Sequence, residues 1–592
     1  VTPDKGNPPK VKDWKRTLHR IWVYLASHKR LLWTILLMVL VSSLFGLLAP
    51  FLLGLAIDRL VLTGVEGSLT WLLILLGGSY ALYSLTIWLQ NYWMIGVAQQ
   101  SVYRMREDLF GQLHRLPVSF FSRRQHGELM SRLTNDIENV SQTLNTSFIQ
   151  LTSSLLTFVG MLGLMLYLSP LLTLITLSVV PLMYIGMKWI TARTNRYFKE
   201  QQRNLGELNG FVEETLSGQR VVTTLSQEQK VIAGFEERNA RLRVSGYWAQ
   251  TYTGFIPKLM NMLNNVSFAV IAGAGGIMVI QSMISIGVIV TFTEYARQFT
   301  RPLNDLANQF NTFLSAIAGA ERVFEIIDEG AEEEDEREAG ELAGVQGEII
   351  FDRVTFSYEE GHPILSDVSF RAAPGETVAF VGPTGAGKTT VIQLLSRFYD
   401  PDSGTIAIDG REIGDVKRAS LRSHIGYVLQ DTFLFAGTIR DNIRYGRLDA
   451  LDEEVEAAAR MANAHTFITK LPQGYDTVLD PEGGSISQGQ RQLLSIARAV
   501  LADPSILILD EATSSIDTVT EIKIQEALYR LMQGRTSIVI AHRLNTIRQA
   551  DQIIVLEQGR IIEQGSHREL LGQRGFYYGL VHAREPETAG AR

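Results

Sequence analysis

Residues 377–397 decide the fold. They begin with an apolar run, Thr377–Val381, and continue as Gly382-Pro383-Thr384-Gly385-Ala386-Gly387-Lys388-Thr389-Thr390. The glycine-rich part matches G-x-x-x-x-G-K-[ST] between Gly382 and Thr389, and the pattern predicts a strand before it and a helix over Thr389–Arg397. Gly382, Gly385 and Gly387 let backbone N–H groups approach phosphate oxygens, and a helix N-terminus behind them adds favourable potential. Lys388 neutralises the β- and γ-phosphates and Thr389 Oγ1 ligates Mg²⁺, with Thr384 and Thr390 completing the phosphate-binding set. Some 120 residues on, Ile506–Leu509 is wholly apolar and ends in Asp510 and Glu511. Parallel strands buried on both faces look like this, and ligand groups emerge at their carboxyl ends. Asp510 is placed to hold Mg²⁺ through water, and Glu511 to polarise an attacking water. From Gly347 onward, alternating strands give way to buried strands separated by helices, the pattern of an α/β domain.

Upstream of that domain the character changes. The chain has 592 residues, 55 Lys+Arg against 62 Asp+Glu, a net charge of −7 and no cysteine. That composition excludes disulfides, thiolate metal sites and cysteine catalysis, and it offers no basic block for nucleic acid. Six stretches reach the roughly 20 apolar residues that a membrane helix needs. They lie near residues 31–57, 69–96, 148–168, 171–190, 262–280 and 286–313. Six such runs in the first half, two of them separated only by Ser169 and Pro170, point to a helical membrane domain rather than to buried core helices. No signal peptide is expected, because Lys10, Lys12, Lys15, Arg16 and Arg20 lead without a short apolar core.

The connections of spans two to three and four to five are rich in arginine, for example Arg104, Arg106, Arg115, Arg193, Arg196 and Arg203, whereas Arg59 is the exception on the other side. The positive-inside rule then puts both termini and both long loops in the cytoplasm of a multi-pass inner-membrane protein. Those loops are polar yet helix-periodic, so they read as helices continuing beyond the bilayer. Lys12–Ser27 reads as an amphipathic helix along the membrane surface, with Trp14, Leu18, Ile21, Trp22 and Leu25 on one face. In span six, Glu294 and Arg297 share a face, either lining a watery cavity or neutralising each other as a local ion pair, and Pro302 is expected to bend the helix. Glu332–Glu336 reads as a solvated acidic linker. The boundaries are therefore 1–30 for the N-terminal segment, 31–325 for the membrane domain, 326–346 for the linker and 347–592 for the nucleotide domain.

Read together, these residues resemble the ATP-binding cassette family. Between the two nucleotide motifs stands Ser485-Ile486-Ser487-Gln488-Gly489-Gln490, similar to the family signature that opens a helix. Ser514-Ser515-Ile516-Asp517 resembles the D-loop, and Ile538–His542 the switch histidine at a strand end. Phe356-Ser357-Tyr358 resembles the aromatic loop that stacks on adenine, and Val428-Leu429-Gln430 the Q-loop. The six spans resemble an exporter-type transmembrane domain, with coupling segments at Phe120–Arg132 and Gly210–Gly218. The resemblance implies a six-helix membrane domain fused to a P-loop domain with an antiparallel β subdomain and a helical subdomain, and it implies ATP and Mg²⁺. It makes Glu511, His542 and Gln430 catalytic, with Gln430 also at the metal. It adds Tyr358, Ser487, Gly489, Gln490 and Asp517 to the nucleotide set.

The family further implies a dimer. One chain supplies the phosphate loop, a second supplies the signature, and two cassettes enclose two ATPs. Here the signature departs from the family, with Gln488 where its first glycine usually sits, while Lys388, Asp510, Glu511 and His542 are intact. That split resembles the catalytically intact subunit of heterodimeric bacterial exporters of the multidrug type. The expected function is ATP-driven export, by alternating access, of hydrophobic or amphipathic compounds such as drugs or lipids. A second half-transporter and membrane lipids are its partners. A dedicated lipid flippase, a peptide exporter, a tolerated Gln488 in a homodimer and a cassette-gated channel are the alternatives.

Overall fold

The computed structural model describes residues 13–63, 68–332, 335, 339–359, 361–429, 432–480, 486–510, 516–541 and 544–584. Lys10, Lys12, Gln430, Glu511, Ser514, Ser515 and His542 lie outside the described residues, as does Ser485 at the head of the signature. The chain forms two compact units. One comprises the chain up to Arg115 together with Gln125–Glu329; the other comprises Leu116–Arg124 and everything from Gly330.

The first unit is helical: α1 (Trp14–Ala26), α2 (Lys29–Thr63) and α3 (Ser68–Leu113) come first. The short α4 (Val118–Arg123) belongs to the other unit. Then follow α5 (His126–Ser131), α6 (Ile137–Gln142) and α7 (Phe148–Leu168), joined by π-helical turns at Arg132–Asp136 and Thr143–Ser147. The unit closes with α8 (Pro170–Ser217), α9 (Gln219–Thr224), α10 (Glu228–Ile280), α11 (Ile286–Gln298) and α12 (Thr300–Ile327). The 46 residues of α3 make a helix about 69 Å long at 1.5 Å per residue, over twice the ~30 Å hydrocarbon thickness. The polar loops are thus continuations of the spans, as their periodicity implied.

Among the described residues, Lys29–Val61, Leu69–Leu113, His126–Leu168 and Glu228–Ile280 are long and apolar enough to cross a membrane. They contain the first, second, third and fifth predicted spans. The fourth lies within α8, part of whose apolar stretch has side chains outside the description. The sixth is divided between α11 and α12 at Phe299, which keeps helical dihedrals of φ −61° and ψ −36°. Pro302 has no N–H to offer the carbonyl of Gln298 one turn back, which accounts for the interruption. Glu294 and Arg297 do pair, at 3.5 Å.

Polar contacts fasten this unit at both ends. The Asp58 carboxylate accepts from the Gly287 N–H at 2.6 Å and from the Ser285 hydroxyl, holding the first turn of α11. At the arginine-rich end, Arg322 forms a two-pronged bond with Asp136, and Arg132 donates to the Arg322 carbonyl at 3.1 Å and pairs with Glu128. Helix α1 buries Ile21 and Leu25 while Trp14 and Trp22 stay about half exposed, and Arg20 donates to Asp328 at 2.6 Å. Exposed indoles beside buried aliphatic residues suit a helix at a membrane interface.

The second unit is built on two sheets. The antiparallel one runs β2-β1-β4-β5, with β1 (Ile349–Ser357), β2 (Pro363–Ala372), β4 (Ser403–Ile408) and β5 (Arg411–Glu412). The other runs β12-β11-β3-β10-β9-β6. Its members are β3 (Thr377–Val381), β6 (Ile425–Val428), β9 (Ile506–Asp510), β10 (Thr536–Ile540), β11 (Gln552–Glu557) and β12 (Arg560–Gly565), and all but β12 are parallel. A two-stranded pair, β7 (Gly437–Thr438) with β8 (Val478–Leu479), completes the count among the described residues. Alternation along each central strand feeds two cores. Ala379, Val381, Leu507, Leu509 and Val539 face one; Val378, Phe380, Ile506, Ile508 and Ile538 face the other. This two-sided burial is why these strands read as unbroken apolar runs.

The acidic stretch is not wholly solvated. Glu332 accepts from Arg422, and Asp335 accepts from the Arg418 backbone and guanidinium at 3.0 and 3.3 Å. Arg397 and Arg418 are nearly buried, so carboxylates that read as a charged run in the sequence supply the counter-charge they need.

Candidate functional site

The glycine-rich turn leaves β3 at Val381 and opens helix α13 (Lys388–Leu395). Gly382, Gly385 and Gly387 take φ values of 155°, 83° and 100°, conformations that favour glycine. A Cβ on Gly382 would stand 2.1 Å from the Leu556 carbonyl oxygen, and one on Gly387 would stand 2.6 Å from Leu365 Cδ2. The loop is therefore confined by the sheet beneath it. Lys388 Nζ donates to the carbonyls of Gly382 and Pro383, each at 2.9 Å, so its charge is held over the loop. Thr384 and Thr389 are exposed, whereas Thr390 is buried.

Asp510 ends β9, which is separated from β3 by β10 alone. At about 4.8 Å per strand, the phosphate loop and Asp510 share one carboxyl edge of the sheet about 10 Å apart. The Thr389 hydroxyl and the Asp510 carboxylate are hard oxygen donors, and Mg²⁺ in nucleotide sites is bound by one or two protein oxygens plus phosphates. The donor set fits that ion.

Tyr358 sits in the antiparallel subdomain, half-buried, with its ring edge-on to Phe356 and Tyr399. Its hydroxyl lies 3.1 Å from Thr390 Oγ1 and donates to Gln393. Burial pushes its phenol above the ordinary range. The sequence placed Thr390 beside phosphate; the structure joins it to Tyr358. Tyr399 extends this chain, because its hydroxyl is 3.0 Å from Ser122 Oγ of α4. A cavity of about 680 Å³ opens among Ser122, Arg123, Tyr358, Glu359, Gln393 and Tyr399. Tyr399 and Gln393 carry no motif, and no sequence signal singled them out.

The signature opens α14 (Gln488–Ala502). Ser487 caps it: the Gln490 N–H donates to Ser487 Oγ at 3.3 Å and the Ser487 N–H donates to Gln490 Oε1 at 2.9 Å. Gln488 is exposed on the first turn and Gly489 is buried. A Cβ on Gly489 would lie 2.5 Å from Thr520 Cγ2 and 3.0 Å from Ile516 Cγ2. Asp517 caps α15 (Thr518–Met532), accepting from the Thr520 N–H at 2.9 Å, and that bond holds its carboxyl below the usual carboxylate range. The signature helix and the D-loop helix thus touch through Gly489, a contact the motif did not announce.

A helical membrane unit and a P-loop unit with a signature helix in one chain define a membrane protein that binds ATP. The family described as "ABC transporter transmembrane region" matches residues 32–303, and "ABC transporter" matches residues 365–514. The chain belongs to the ABC transporter family and is an exporter-type half-transporter. It is 60% identical to the Uncharacterized ABC transporter ATP-binding protein YfiC of Bacillus subtilis (strain 168), over 97% of this chain and 95% of that protein. It is 46% identical to the Fatty acid ABC transporter ATP-binding/permease protein of Mycobacterium bovis (strain ATCC BAA-935 / AF2122/97), over 85% of this chain and 80% of that one. Among solved structures it resembles a bacterial Atm1-family ABC exporter with ATP bound, with a TM-score of 0.72 and 31% identity, covering 95% of this chain and all of that one.

Proposed function

We propose that this chain is half of a dimeric pump that hydrolyses ATP to move amphipathic compounds, lipids first among them, out of the cytoplasmic side of a membrane. The observation that carries the proposal is the joining, in one chain, of a glycine-confined phosphate loop and membrane-length helices. The fatty-acid assignment of one relative supports a lipid-like cargo. In this reading, Lys388 and the α13 N-terminus hold the β- and γ-phosphates. Thr389, Asp510 and Gln430 hold Mg²⁺, which supplies charge neutralisation on the phosphates. Glu511 orients the attacking water and His542 the γ-phosphate, so the groups act by positioning and charge rather than covalently. Tyr358 stacks on adenine, and Ser487, Gly489 and Gln490 face the nucleotide of the second subunit. Asp517 helps join the two sites.

ATP drives such a cycle only to the extent that it binds the closed dimer better than the open one. The contact between Ser122 and Tyr399 supports α4 as a segment through which the nucleotide unit is felt. Exposed Gln488 and the intact phosphate loop support a heterodimer with one weaker site; full Glu511-dependent ATPase activity in a homodimer of this chain would refute that refinement.

The test is Glu511→Gln in the assembled transporter. ATP binding is retained and transport of a labelled amphiphile is abolished. Undiminished flux would assign the chain to a nucleotide-gated pore instead.

A further inference from the structure

A cavity of about 310 Å³ lies between α3, the start of α7 and the α11–α12 junction. Its lining is unusual for apolar spans, for it includes Gln90, Asn91, Gln150, Ser153, Arg301 and Asp305. Gln90 and Asn91 stand in the last turns of the second apolar run, whereas Gln150 and Ser153 stand in the first turns of the third. The cavity is therefore at the membrane end that continues into the arginine-rich segment of residues 104–132. By the positive-inside rule that is the cytoplasmic leaflet, where an exporter collects its cargo. The wall is built rather than accidental: Gln90 is 4% exposed, and its Oε1 accepts from the Ser42 hydroxyl at 3.3 Å.

Arg301 and Asp305 are the charged groups of this lining. They stand four residues apart on α12, a spacing at which opposite charges readily meet. Neither makes an ion pair or hydrogen bond with any described residue. The contrast lies in the same span, where Glu294 and Arg297 close on each other at 3.5 Å. Ionisable groups at membrane depth mark ligand pathways unless they are neutralised locally, and here the two opposite charges are about 5–6 Å apart at their Cβ atoms with a polar cavity in front of them.

We infer that this cavity is a headgroup subsite for a zwitterionic amphiphile. The anionic oxyacid group binds Arg301, the ammonium group binds Asp305, and Gln90, Asn91, Gln150 and Ser153 supply neutral hydrogen bonds. The volume is about ten times the share of one water in the liquid. It holds a headgroup and leaves the acyl chain among the apolar helix faces. The inference rests on the export of amphiphiles proposed above and names their headgroup class. A singly charged amphiphile leaves one of the two side chains unmatched and forfeits one charge-assisted contact.

The experiment uses the full chain with whichever subunit it assembles with, in a neutral-headgroup detergent. ATPase stimulation is titrated with three single-chain amphiphiles of equal length: lysophosphatidylethanolamine, lysophosphatidylglycerol and an alkylamine. Free phosphoethanolamine forms a fourth arm. The zwitterion is expected to reach half-maximal stimulation at a concentration about tenfold below either singly charged amphiphile. Asp305→Asn removes its advantage over the anionic one, and Arg301→Gln its advantage over the alkylamine. Free phosphoethanolamine requires at least about a tenfold higher concentration than its acylated form; parity would make the ligand a soluble zwitterion and overturn the lipid assignment. Equal half-maxima for all headgroups, or variants that shift all three curves in parallel, overturn the subsite while leaving amphiphile export standing. The same holds if the variants lower the dimer fraction with headgroup preference intact, which would mean that the partner subunit covers the pair. No stimulation by any amphiphile, with ATP turnover intact, takes down the export reading and this subsite together.

Discussion

Substituting Gly489 with alanine separates two reasons for a glycine in the signature. The structure supplies an intrachain reason, since the new methyl group would stand 2.5 Å from Thr520 Cγ2 and 3.0 Å from Ile516 Cγ2. Both are side-chain atoms that must yield, and overpacking of this kind costs about 1–3 kcal/mol. At roughly 2–4 °C per kcal/mol for a domain of this size, thermal unfolding of the nucleotide-binding part drops by about 2–12 °C. Thr520→Ser removes the closer of the two clashing methyl groups and keeps the hydroxyl and the backbone N–H that caps to Asp517. On its own it costs about 0.8 kcal/mol for the lost methyl group. The double variant Gly489→Ala/Thr520→Ser therefore regains at least half of the lost melting temperature, and its ATPase activity rises with it. Both quantities are measured on the assembled transporter, by a fluorescence melt and by phosphate release at saturating ATP. Recovery of the melting temperature without any recovery of ATPase would refute the reasoning, because the glycine would then be demanded by approach of the backbone to nucleotide.

Lys388→Ala removes the one side-chain charge that bridges the Gly382 and Pro383 carbonyls, and it lowers ATP turnover about 10²-fold or more, measured by phosphate release. Tyr399→Phe and Ser122→Ala each delete the same 3.0 Å hydroxyl contact and leave the ring of Tyr399 packed on Phe356 and Tyr358. Each lowers transport per ATP hydrolysed, and the double variant is no worse than either single one; additive losses would show that the two hydroxyls act separately. Asp517 binds its proton less readily when folded than when unfolded, so its cap stabilises α15 above its ordinary value near 3.8 and is lost as the pH falls through the lower folded value. The protection factors of the Thr518–Glu521 amides, taken against the intrinsic exchange rate at each pH, accordingly fall below about pH 4 relative to pH 6 in the native protein and stay constant over this range in Asp517→Asn. Glu332→Gln leaves Arg422 without a full counter-charge and destabilises the nucleotide unit by about 1–3 kcal/mol, read as a lower melting temperature.

The sequence by itself determined what is local or periodic. The phosphate loop is contiguous and its backbone demands glycine, so Gly382–Thr389 was legible without coordinates, as was β9 running into Asp510. Spans are legible because hydrocarbon excludes charge for about 20 residues at a time, and the long polar helices because their period is 3.6. The missing N–H of Pro302 led to an expected bend, and the structure divides the span at Phe299 with its dihedrals still helical. Tertiary structure alone decided which distant residues meet. Ser122 reaches Tyr399 across 277 positions, and Asp335 reaches Arg418 across 83. Those acids read as a solvated run because nothing in their neighbourhood along the chain shows the buried arginines that need them. In the same way Gly489 looked like a motif glycine, and only the packing of α14 on α15 revealed the methyl groups beside it. Arg301 and Asp305 carried no signal in the sequence, and only the fold shows that both line a polar cavity. Pattern reports the periodicity and chemistry of one segment, whereas a contact between segments depends on distances that only the folded chain defines.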